Sequence, residues 1–204
     1  MADGHIPRSA QGRTPLDDWL LGAAEIMLGR EKGLARLDPS ERGFATSFWG
    51  LALAGLVDAF VLAVRHARLD GDHAAAAWSG PGYVAASLAI AALAYLASLL
   101  ALYLLARRPD HAARFTLAVT AMNWAAPIVS LGLVPFVLIA GGAGQSNGAL
   151  ILSLAILAAL AIAGTRLVRI PFRIDLGVAV IWFVVTTLVS QVVLEGASAL
   201  FGLS

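Results

Sequence analysis

The stretch FATSFWGLALAGLVDAFVLAV, residues 44–64, is twenty-one residues long and carries a single charge, Asp58. As a helix it reaches about 31 Å at 1.5 Å per residue, enough to cross a hydrocarbon core about 30 Å thick. Four later stretches repeat the pattern, so spans are expected at 44–64, 82–106, 115–140, 148–168 and 176–200. The expected fold class is all-α integral membrane, a five-transmembrane-helix bundle preceded by a cytoplasmic amphipathic helix. Composition agrees: 59% of the 204 residues are hydrophobic and 13% are charged, whereas a soluble domain carries about a quarter charged residues.

Charge placement gives the bundle a direction. Twelve of the fourteen Lys and Arg residues lie before the first span, between the second and third, or between the fourth and fifth; only Arg65 and Arg68 lie on the other side. Cationic flanks are retained in the cytoplasm during insertion, so the N-terminus is expected inside and the C-terminus outside.

Residues 1–13, polar and broken by glycine and proline, read as a disordered N-terminus. The unit 14–38 reads as a cytoplasmic or interfacial amphipathic helix, and 39–204 as the transmembrane domain. Thr14-Pro15-Leu16-Asp17 is a helix start, with a capping threonine, a proline at the first helical position and a carboxylate where a capping box needs one. Leu16, Trp19, Leu20, Ala23, Met27 and Leu28 then recur on one face, with Asp17, Asp18 and Glu25 largely off it. Such a face lies either on lipid or on the end of the bundle; docking in the interfacial plane is the favoured expectation. Asp38-Pro39-Ser40-Glu41 repeats the start signal ahead of the first span.

Polar residues inside the spans are the candidate functional groups. Asp58 lies fourteen residues past Phe44, about 21 Å into the core. It shares a stripe with Gly50 and Ala54, small residues that allow close helix contact, so it is expected to face the bundle. In the third span Thr116, Thr120, Asn123, Pro127 and Ser130 share a face, and Pro127 withdraws the hydrogen bond from the Asn123 carbonyl. In the fifth span Thr187, Gln191 and Glu195 do likewise, with Gln191 about 22 Å along. The expectation is an intramembrane polar cluster of Asp58, Asn123, Gln191 and Glu195. In it Asp58 is hydrogen-bonded to Gln191 or Asn123. Helix packing is the plainer role for the uncharged members. In the fourth span Ala155, Ala159 and Ala163 form a small-residue ridge suited to packing or self-association. Arg166, Arg169 and Arg173 at its end can anchor the span or meet anionic headgroups.

Other chemistry finds little footing. There is no cysteine, which excludes disulfides, thiolate metal sites and cysteine nucleophiles. A net charge of +1 without a basic-aromatic patch argues against nucleic acid. The first long apolar run begins only near Phe44, so no cleaved signal peptide is expected. His66, Asp70 and His73 share one loop, but at no spacing with a metal-binding mechanism, and a solvated loop is expected. Gly141-Gly142-Ala143-Gly144 lacks a following helix with a phosphate-binding lysine, and no G-x-S-x-G elbow occurs. No catalytic residue, cofactor or metal is expected.

The amphipathic segment, the Asp38-Pro39 entry and the five spans together resemble the Yip1-like membrane proteins in their bacterial form. Residues 33–49, from Gly33-Leu34-Ala35-Arg36-Leu37-Asp38 through Arg42-Gly43-Phe44, also look like the entry to small bacterial inner-membrane proteins. That resemblance implies membrane organisation or partner recruitment in the bacterial inner membrane, with the C-terminus periplasmic. The expected function is a non-enzymatic membrane scaffold or assembly factor, with the lipid bilayer, a membrane-protein partner or a homo-oligomer as its contacts. The alternative is a small-solute or proton-coupled transporter using Asp58, Asn123 and Gln191. Five spans without an internal repeat count against that alternative.

Overall fold

The computed structural model describes residues 14–68, 80–107, 109–140 and 147–201, and among them every regular element is helical. Helix α1 is Pro15–Met27, and a short 3-10 segment, Glu31–Arg36, follows it. The long helices are α2 (Glu41–Arg68), α3 (Gly80–Leu105), α4 (Pro109–Ala140), α5 (Asn147–Phe172) and α6 (Leu176–Leu200). Five of these are long and apolar enough to cross a membrane, over Glu41–Val64, Pro81–Leu105, Arg114–Val137, Asn147–Phe172 and Leu176–Leu200.

Helix α4 is the centre of the bundle. Its apolar window is 44% buried, against 6–17% for the other four. Ala118, Ala121 and Ala125 explain why: these small side chains are fully or almost fully buried and let neighbouring helices come close. α2 runs along α4, α3 runs along α6, and α5 bridges α4 and α6. Gly164 of α5 is a point of contact in that bridge, since a methyl group there would overlap the Phe183 ring of α6. The outer faces are leucine, isoleucine and valine, as at Leu56, Leu96, Ile151 and Val192. With lipid as the surrounding solvent these exposed side chains cost nothing. Ala155 and Ala159 of the fourth-span ridge also face outward, without cover.

The start of α1 follows its sequence. Thr14 Oγ1 accepts from the Asp17 amide at 3.4 Å while the Thr14 amide donates to Asp17 Oδ2 at 2.9 Å, and Pro15 takes the first helical position. At α2 the capping role falls two residues later than the first acid of the motif. Ser40 Oγ accepts from the Gly43 amide at 3.1 Å, and Asp38 Oδ1 instead accepts from the Ser40 amide at 2.9 Å. The Ser40 amide, with its hydroxyl close by, holds the Asp38 carboxyl below the ordinary pKa range.

Docking of α1 in the lipid plane, the favoured expectation, gives way to docking on protein. α1 packs on α4 and α5. Trp19 stacks on Trp124 with ring centroids 5.0 Å apart, and Ala23 and Ile26 are completely buried in a cluster with Ala121, Leu167 and Ile170. Leu20 and Met27 pack against the same cluster, whereas Leu16 and Leu28 from the expected face remain exposed. The reason lies in the segment that follows. Gly29, at φ +86°, turns the chain so that the 3-10 segment folds back on α1, where a side chain at Gly33 would overlap the Gly22 carbonyl. That return buries Glu25, only 5% exposed, and supplies its partners: Lys32 and Arg36, each at 3.2 Å, with Arg36 also reaching Asp18 at 3.1 Å. Burial alone would raise the Glu25 pKa, but the hydrogen bonds and charges of Lys32 and Arg36 outweigh it and leave it lowered.

Candidate functional site

The intramembrane chemistry begins where α2 crosses α4. Pro127 cannot donate a hydrogen bond to the Asn123 carbonyl, and the freed carbonyl lies against Gly50. A Cβ on Gly50 would come within 2.5 Å of that oxygen. The Asn123 side chain is completely buried and satisfied at both ends. Its Nδ2 donates to Ser47 Oγ at 2.8 Å, and its Oδ1 accepts from the Tyr95 hydroxyl of α3. Ser47 is completely buried too, and its hydroxyl donates to the Phe44 carbonyl at 2.7 Å. One asparagine thus ties α2, α3 and α4 together. Thr120, a turn below it, spends its hydroxyl on the Thr116 carbonyl at 2.8 Å.

Beyond this crossing the helices part. A half-open groove of about 480 Å³ lies between α2, α3 and α4. Its walls are largely small residues, among them Ala54, Gly55, Ala91, Ala92, Ala125 and Ala126. Polar atoms come from Asp58, Tyr95 and Ser130, and the lining contains no Lys, Arg or His. A Cβ added to Gly55 would meet nothing within 4 Å. Asp58 itself is exposed at the groove, with no hydrogen bond or ion pair to another described residue. The chemistry on offer is a lone carboxylate that can accept from, or pair with, a donor carried by an apolar guest.

The four residues expected to cluster are not brought together. Asn123 serves the packing node with Ser47 and Tyr95, and Asp58 serves the groove. Gln191 and Glu195 are exposed on α6, which packs on α3 and α5. The expected Asp58 hydrogen bond to Asn123 or Gln191 is absent. The geometric reason is that α6 seats beside α3, so the fifth-span stripe never reaches the α2–α4 seam. The residues missed from the sequence are Ser47 and Tyr95. Ser47 extends the Gly50-Ala54-Asp58 stripe by one turn, and Tyr95 is a mid-span phenol whose hydroxyl needs a partner in lipid.

A second polar region lies at the bundle end that carries α1. Arg166 donates to the Met27 carbonyl at 2.9 Å, and Arg114 donates to the Phe172 carbonyl at 3.2 Å. A polar cavity of about 500 Å³ opens between the α1 turn and the end of α5, lined by Arg166, Arg169 and Arg173. Asp70 and His73 of the loop considered for a metal, and the side chain of His66, lie outside the described residues. Among the described residues no group of three His, Cys, Asp or Glu side chains could hold a metal ion. No family model, curated protein or solved structure matches this chain.

Proposed function

We propose that the chain is a non-enzymatic membrane scaffold that seats a partner's transmembrane helix in the groove between α2, α3 and α4. One observation carries this reading: Asp58 stands exposed at a small-residue groove. A carboxylate at that depth costs at least about 2.5–3.5 kcal/mol unless something covers it. Alanine and glycine walls admit a second helix at close range, and a donor on that helix (Ser, Asn, Gln, Lys or Arg) offsets the carboxylate's cost. The docked α1 argues against recruitment through its apolar face, because α4 and α5 occupy much of that face. The charge asymmetry of the loops supports a cytoplasmic N-terminus and a C-terminus on the opposite side, and the Yip1-like resemblance makes the membrane a bacterial inner one and that side the periplasm. An amphipathic segment ahead of five spans supports the Yip1-like resemblance.

The test places a photo-crosslinking residue at Ala92 in the native membrane. Capture of a membrane-spanning protein is expected, lost in Gly55→Leu, which fills the groove, and in Asp58→Leu. Both variants keep the folded protein, since neither position carries an internal contact of consequence. Proton or solute flux in reconstituted vesicles that vanishes with Asp58→Asn, without any captured helix, would replace this reading with the transporter.

A further inference from the structure

The cavity between the α1 turn and the end of α5 has no part in that scaffold reading. Its walls are Leu28, Gly29 and Glu31 on one side and Arg166, Arg169, Ile170, Arg173, Ile174 and Asp175 on the other. We infer that Arg166, Arg169 and Arg173 form a binding site for a phosphate-bearing anion.

Three features of the cavity point to such a ligand. The first is charge. Three guanidinium groups face two carboxylates, Glu31 and Asp175, and among the described residues no ion pair joins them. A cavity of about 500 Å³ keeps the five groups apart and leaves net positive charge for an anion to neutralise. The second is positioning. Arg166 is held at one edge by its hydrogen bond to Met27 and by Gly29, where a Cβ would stand 3.3 Å from its Nε. The third is strain. Arg173 is the one non-glycine residue at positive φ among those described, at +53° just past the end of α5. Glycine is the ordinary occupant of such a position, since a side chain there is strained. An arginine kept there despite the strain lines the cavity with a cation where a glycine would leave nothing.

Arginine forks match phosphate oxygens two at a time. Exposed Leu28 and half-buried Ile174 at the rim give the cavity an apolar lip beside its charge. A lipid headgroup and a free phosphate present the same oxygens to the same forks.

The test uses the full chain, with thermal unfolding as the readout at constant ionic strength. One arm adds inorganic phosphate to protein in a neutral detergent. The other compares nanodiscs of phosphatidylcholine with and without phosphatidylglycerol. A rise in the midpoint with inorganic phosphate identifies a site open to free phosphate. A rise only with phosphatidylglycerol identifies a headgroup site. In either case Arg169→Gln weakens the apparent affinity about tenfold, as loss of one charge-assisted hydrogen bond should. Arg173→Gly is the decisive variant: it relieves the backbone, so its midpoint without ligand is equal to or above wild type, yet the ligand-dependent rise is lost. The site is overturned if neither arm raises the wild-type midpoint, or if both variants respond as the wild type does.

Discussion

Gly50 and Gly55 lie on the same helix, little more than a turn apart, and do opposite things. At Gly50 the missing side chain lets α2 come down onto the Asn123 carbonyl of α4. At Gly55 it leaves open space beside Asp58. The first glycine closes a seam and the second keeps a groove. Small residues in membrane helices therefore need their neighbours before they can be read: a freed carbonyl opposite makes one a contact, and diverging helices make the other a vacancy.

The largest expected effect attacks the closed side. Gly50→Leu forces a side chain into the Asn123 backbone and Trp124 ring, and should destabilise the protein by about 3 kcal/mol, read by denaturation with SDS in mixed micelles. An unchanged midpoint would mean that α2 and α4 do not touch here. Asn123→Ala follows at about 2 kcal/mol, because Ser47 loses its donor and the Tyr95 hydroxyl its acceptor. Combining it with Tyr95→Phe should cost less than the sum of the two single changes, since the pair is removed together. The α1 seat gives a smaller, pH-dependent effect. The Glu25 pKa is lowered in the folded protein, so its contribution is complete above the ordinary carboxyl range and is lost as pH falls through the folded value. Protease cleavage near Gly29 should accordingly rise below about pH 4.3 in the wild type and rise less steeply in Glu25→Gln, where Asp18 still pairs with Arg36. The smallest effect belongs to the open side. Gly55→Ala should leave the midpoint within about 0.5 kcal/mol or raise it slightly, as helix propensity favours alanine.

Much of this contrast is visible in the chain itself. The five spans follow from length and apolar composition, and the α1 start follows from Thr14, Pro15 and Asp17. The Asn123 carbonyl freed by Pro127 and the Gly50-Ala54-Asp58 stripe are likewise readable, since both are consequences of helical spacing. What spacing cannot give is which helix stands next to which. Tyr95 reaches Asn123 because α3 approaches α4 at that level, and Gln191 misses it because α6 packs on α3 and α5 and leaves Gln191 exposed. The same holds for Glu25. Periodicity places it off the apolar face, and only the Gly29 turn brings Lys32 and Arg36 round to bury it.

The hydrogen bond from Arg166 to Met27 joins residues 139 positions apart. At ribosomal speeds of about 5–20 residues per second, roughly 7 to 28 s pass between the synthesis of its two ends. During that interval α1 waits for its seat, of which Ala121 and Trp124 of α4 come first and Leu167 and Ile170 of α5 come last. Until both helices are in place, Trp19, Ala23 and Ile26 lack the cover they have in the finished protein. The first helix to be made is thus among the last to be seated.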